Sequence, residues 1–192
     1  DLGLQSVVRR EVKKQIDIPV SNDELTFAYQ EMQGYFEKGG VDFLLLEMMS
    51  IPSRALPLYE CVSNSTLPVW CGLSAKRQSP HSKITSFHDE RIFFEDNVRS
   101  AAGYNFDVLG VMHTSVDLIS ECNSIIKDFH EGPTMAYPDS GYFRAPNWQF
   151  VDIISPVELE KFAEEWRNEG VQIFGGCCGL GPEHTISLSR LK

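Results

Sequence analysis

Two adjacent cysteines within a run of glycines, Gly175-Gly176-Cys177-Cys178-Gly179, are the residues of this chain best suited to chemistry. Glycine lets the backbone turn tightly, so neighbouring side chains can be aimed at one centre. Thiolates bind zinc well, and a catalytic zinc site takes three protein ligands and keeps one position open. Three readings of the pair compete: a metal site, two buried and inert cysteines in a turn, or a vicinal disulfide acting as a redox switch. The other cysteines, Cys61, Cys71 and Cys122, fall in helical or apolar stretches and read as structural. An odd total without regular spacing argues for a reducing, cytoplasmic compartment rather than a secreted disulfide scaffold. Of the histidines, His81, His88 and His130 read as solvated. His184 reads as structural near a helix start, where neutral imidazole is favoured.

The elements that must position these residues alternate in type. Continuous apolar runs at 41–47, 67–74, 106–112, 133–137 and 171–175 predict five strands. Helical patterns fall at 4–16, 23–38, 52–63, 89–103, 115–130 and 156–169, with a last helix opening at 181–184. Ser21-Asn22-Asp23 supplies capping chemistry for the second helix, and Pro156 and Gly170 frame the one at 156–169. The polar stretch 76–88 and the segment from Tyr137 through Trp148 read as loops. Trp70, Phe93 and Phe94 read as core. The alternation implies an α/β fold with a parallel sheet covered on both faces. Either an open doubly wound sheet or part of an eight-stranded β/α barrel would satisfy it. No dinucleotide fingerprint follows the first strand. Moreover, Glu47, Ser74, His113, Asp139 and Cys177-Cys178 all fall at C-terminal strand ends, the active face of such barrels, so the barrel is preferred.

Composition removes other classes. The 192 residues carry a formal net charge of −10, unsuited to a phosphate backbone, so no nucleic-acid partner is expected. No apolar stretch is long enough for a membrane helix. The whole chain, 1–192, reads as one domain with a helical extension at 1–22.

The segment from Ile173 to His184, IFGGCCGLGPEH, resembles the terminal motif of the homocysteine S-methyltransferases. Gly39 to Glu47, GGVDFLLLE, resembles that family's fourth barrel strand, and Tyr137-Pro138-Asp139-Ser140-Gly141 its seventh-strand loop, where Asn is more usual than Asp139. The resemblance spans roughly residues 23–190 and implies a partial (β/α)8 barrel, about strands 4 to 8. It also implies zinc-dependent methyl transfer from a small donor to the thiol of homocysteine, giving methionine. The implied substrate residues are Glu47, for the amino group, and Tyr137, Asp139, Ser140 and Gly141. The implied ligands are Cys177, Cys178 and a residue at the end of the sixth strand. There the family has Gly-x-Asn-Cys and this chain has Gly110-Val111-Met112-His113, so His113 takes the place of a cysteine. Histidine is itself a sound zinc ligand, but the set then carries one less negative charge. A catalytically inactive relative, or a zinc-binding or redox scaffold, is the alternative. The first three barrel strands have no counterpart here. The chain is therefore either a fragment, or a barrel completed by a second copy or another chain.

Overall fold

The computed structural model describes residues 20–144 and 149–191. Its centre is a five-stranded parallel sheet of β1 (Leu44–Leu46), β2 (Val69–Leu73), β5 (Val108–Ser115), β6 (Thr134–Asp139) and β9 (Ile173–Phe174), in that order. The crossovers run through α2 (Pro52–Val62), α3 (Phe94–Ala102), α4 (Ile119–Lys127) and α5 (Pro156–Asn168). Preceding them is α1 (Asn22–Gly39), and α6 (Pro182–Leu188) closes the sequence of elements. The α/β class and all five sheet strands agree with the sequence pattern. The expected helix at 4–16, most of the extension at 1–22 and Trp148 lie outside the described residues.

Strand order advances without reversal, and parallel crossovers are right-handed, so successive helices stack on one face. Burial agrees. Leu44, Leu46, Val69, Cys71, Leu73, Leu109, Val111 and Ala136 share one core with Leu58, Phe94, Val98, Ile119, Ile126, Leu159 and Trp166 from the helices. Their pleat neighbours Leu45, Trp70, Val108, Met112 and Met135 point to the other face and are absent from that core. Coverage of both faces, expected from the apolar runs, is thus corrected among the described residues. The second face is lined by large side chains but carries no helix layer.

Helix ends follow the local chemistry. Ser21 and Ser155 each cap a helix in a reciprocal box with Glu24 and Glu158. Gly40, at φ 72°, ends α1 in the left-handed conformation. The helix expected from residue 89 starts only at Phe94. The Asp89 carboxylate accepts from the Arg91 backbone N–H at 3.0 Å and closes a turn instead. Phe93, read as core, is 44% exposed, with Lys83 Nζ 4.9 Å from its ring centroid. Both expected loops hold short antiparallel pairs: β3 (Ala75–Lys76) with β4 (Thr85–Ser86), and β7 (Tyr142–Arg144) with β8 (Gln149–Val151).

Candidate metal centre

The cysteine pair is placed by β6. Backbone N–H groups of Gly175 and Cys177 donate to Ala136 and Pro138, at 3.0 and 2.8 Å, and Ser140 donates back to Cys178 at 2.9 Å. These bonds continue the β6–β9 ladder beyond its last paired residues and hold the glycine-rich turn against the strand end. Gly179 lies at φ 81°, and a Cβ there would stand 2.0 Å from the Ser140 carbonyl oxygen, so only glycine fits.

His113 reaches the same point from β5 through a local distortion. The β5–β6 register shifts between Met112 and Ser115, and His113 itself has φ 42°. Positive φ at a non-glycine strand residue is uncommon, and bulges re-aim side chains beside functional sites. Here it brings His113 Nδ1 to 3.4 Å from Cys177 Sγ, and Cys177 Sγ stands 3.9 Å from Cys178 Sγ. Ligand atoms of His113, Cys177 and Cys178 all lie within 4.8 Å of one another. Both thiols are free, and burial pushes that of Cys177 up to about 12. Two sulfurs and one imidazole nitrogen at this spacing fit a tetrahedral zinc site with an open fourth position. The Phe87 ring supports the imidazole edge-on, with centroids 4.8 Å apart.

The other residues singled out in the sequence surround this cluster at varying distance. Asp139 places a carboxylate oxygen 3.9 Å from His113 Nδ1; burial raises its pKa and His113 opposes that. It also borders an open cleft of about 600 Å³ shared with Lys76, Arg77, Phe87 and Ser115. Ser140 is buried, and its hydroxyl accepts from the Ile154 N–H at 2.8 Å, which commits it to holding the turn. Gly141 makes the exposed turn into β7. Tyr137 crosses the helix-free face of the sheet, and its hydroxyl oxygen is 2.5 Å from where a Cβ of Gly72 would be. That hydroxyl is buried without a hydrogen-bond partner among the described residues. Burial first, and then the Glu47 carboxylate, hold its pKa above the ordinary phenol range. Glu47 itself is exposed at the end of β1.

Several features were missed in the sequence. Met48 has φ 57°, and its backbone N–H points at Met112 Sδ, 3.2 Å away. Ser74 sits at a strand end as the sequence indicated, but its burial within 3.3 Å of both the Met48 and Met112 sulfurs was not visible there. His88, read as solvated, is half-buried, with Nδ1 2.5 Å from the hydroxyl of buried Ser50. His184 is structural as expected: Nδ1 accepts from Gly181 N–H and Nε2 donates to the Ile154 carbonyl.

Comparison with known proteins points the same way as the geometry. The chain is 27% identical over 182 residues to betaine–homocysteine S-methyltransferase 1 of Xenopus tropicalis, an alignment covering 88% of this chain and 45% of that protein. A shorter stretch of 59 residues is 34% identical to homocysteine S-methyltransferase 1 of Brassica oleracea var. italica, covering 29% and 18% of the two chains. The chain thus spans less than half the length of the curated relatives it matches. Its fold resembles the homocysteine methyltransferase MmuM of Escherichia coli, solved in oxidised and metallated forms. Each superposes with a TM-score of 0.66 at 19% identity, over 92% of this chain and 54% of that one. Residues 7–191 match the family model for homocysteine S-methyltransferase, and the chain belongs to that family.

Proposed function

We propose that the polypeptide to which these residues belong transfers a methyl group from a small donor to the thiol of homocysteine, giving methionine. The observation that carries this is the meeting of His113, Cys177 and Cys178 at the C-terminal ends of parallel strands. His113, Cys177 and Cys178 hold a zinc ion in this reading. A zinc ion held by these residues would supply the Lewis acidity that lowers the pKa of a homocysteine thiol and keeps a thiolate present at neutral pH. Glu47 takes the substrate ammonium, and the Tyr137 hydroxyl, buried on the helix-free face near the Glu47 carboxylate, offers a hydrogen bond to the substrate. Ser140 and Gly141 act by fixing the turn that carries Asp139 and abuts Cys178.

The unreversed strand order and the single helix layer support reading the sheet as an arc of a (β/α)8 barrel, about strands 4 to 8. The helix-free face is then the barrel interior. β1 and β9 are the edges at which further strands pair, supplied by the same polypeptide or by a second chain.

Cobalt(II) in place of zinc makes substrate binding visible. Homocysteine added to the cobalt-loaded chain is expected to alter the thiolate-to-metal absorption, and Cys177→Ser to remove that response. A spectrum indifferent to homocysteine would contradict the proposal.

A further inference from the structure

On the helix-free face, side chains of β5 and β6 reach across β2 towards the end of β1. Gly72 makes room for them. A Cβ there would stand 2.5 Å from the Tyr137 hydroxyl oxygen and 2.8 Å from Met112 Cγ, so any side chain at 72 would take their space. The Tyr137 hydroxyl lies near the Glu47 carboxylate, which sets that carboxylate on the same face. Met112 is 2% exposed, and its sulfur accepts from the Met48 backbone N–H at 3.2 Å and from the Ser74 hydroxyl at 3.1 Å. A thioether is a weak acceptor, but a donor left unmet in a partly buried place costs more than such a bond is worth. Ser74 has a second acceptor in the Met48 sulfur, at 3.3 Å, so the bond that depends on Met112 is the one from the amide. That amide belongs to the peptide joining Glu47 to Met48. Met48 also has φ 57°, a conformation that a residue other than glycine keeps only when its surroundings hold it. The next amide, of Met49, donates to the Gly72 carbonyl at 3.1 Å and continues the β1–β2 ladder. The Met48 amide instead ties the end of β1 to β5, at the residue just before His113.

We infer that Met112 is a positioning residue, its thioether holding the Glu47–Met48 peptide so that the Glu47 carboxylate keeps a set distance from the cluster of His113, Cys177 and Cys178. This rests on the reading above of Glu47 as the ammonium site and of the cluster as the thiol site. Homocysteine carries both groups on one short chain, so its affinity depends on the distance between the two sites. A thiol without an ammonium engages the cluster alone. The Met112 contact therefore acts on recognition of the amino acid and not on the metal, whose ligands are held by the β5 bulge and by the turn bonded to β6.

The test uses the cobalt(II)-loaded chain, parent and Met112→Leu, titrated with homocysteine and with γ-mercaptobutyrate, the same thiol acid without its ammonium. Leucine fills nearly the same volume and removes only the acceptor. Cobalt uptake is expected to be unchanged. The homocysteine midpoint is expected to rise by about 3- to 10-fold, the usual effect of losing one hydrogen bond, and the γ-mercaptobutyrate midpoint to move by less than about twofold. Three outcomes overturn the inference while the metal site stands: an unchanged homocysteine midpoint; an equal rise for both thiols, which would mark a general loosening; or loss of cobalt from Met112→Leu, which would place Met112 in support of the metal ligands instead. Equal midpoints for the two thiols in the parent fail the reading of Glu47, and a parent indifferent to both fails the proposed transfer site; this inference falls with either.

Discussion

Where β5, β6 and β9 meet, backbone bonds and buried side chains fix every candidate ligand. At the opposite edge, α1 contributes no fully buried residue, and Phe27, Tyr35, Phe36 and Leu45 stand between 40% and 70% exposed. The half with the candidate metal ligands draws all three from its own strand ends, although β9 is an edge there too, while the α1–β1 half presents apolar surface to solvent, with β1 as a free parallel edge. An edge of this kind is a place for another strand to pair. The metal centre can therefore form within this chain, whereas Glu47, at the end of β1, waits on whatever covers that edge.

Three substitutions probe this contrast, from the largest expected effect to the smallest. Phe94 is fully buried under the central strands. Phe94→Ala should cost about 3–5 kcal/mol in urea unfolding, because the cavity cannot collapse in a closed core. A loss below about 1 kcal/mol would mean that the centre is loosely packed. Gly179→Ala forces a Cβ against the Ser140 carbonyl at a left-handed backbone position. It should cost about 1–3 kcal/mol and abolish zinc uptake, because the turn that aims Cys178 must shift. Retained zinc would show that the turn tolerates rearrangement. Phe27→Ser, on a side chain already 70% exposed, should change stability by no more than about 0.5 kcal/mol. A loss above about 1 kcal/mol would show that something covers the α1 face in solution.

Much of this contrast could be read in the sequence, for physical reasons. Strands buried in a parallel sheet read as continuous apolar runs, so all five were legible with their order. The glycines around Cys177-Cys178 marked the turn, and Pro156 and Gly170 marked α5. The β3–β4 and β7–β8 pairs were not visible, because strands of two or three residues leave no alternation to detect. Phe93 looked like core because an aromatic beside Phe94 carries no mark of facing; the Asp89 turn delays the helix and leaves Phe93 at its cap. The site was half legible. His113 was placed by resemblance, but nothing local in Gly110-Val111-Met112-His113 shows the bulge and the φ of 42° that aim it. The Asp139–His113 and Ser50–His88 contacts join residues distant in sequence, and only the folded sheet brings them together.

The most direct test of the account is zinc content per chain by elemental analysis, on protein purified under reducing conditions, with Cys177→Ser and His113→Ala alongside. The account predicts about one zinc in the parent and loss of it in both variants, since a site with an open position needs all three protein ligands. Zinc retained in His113→Ala, or none in the parent, would contradict it.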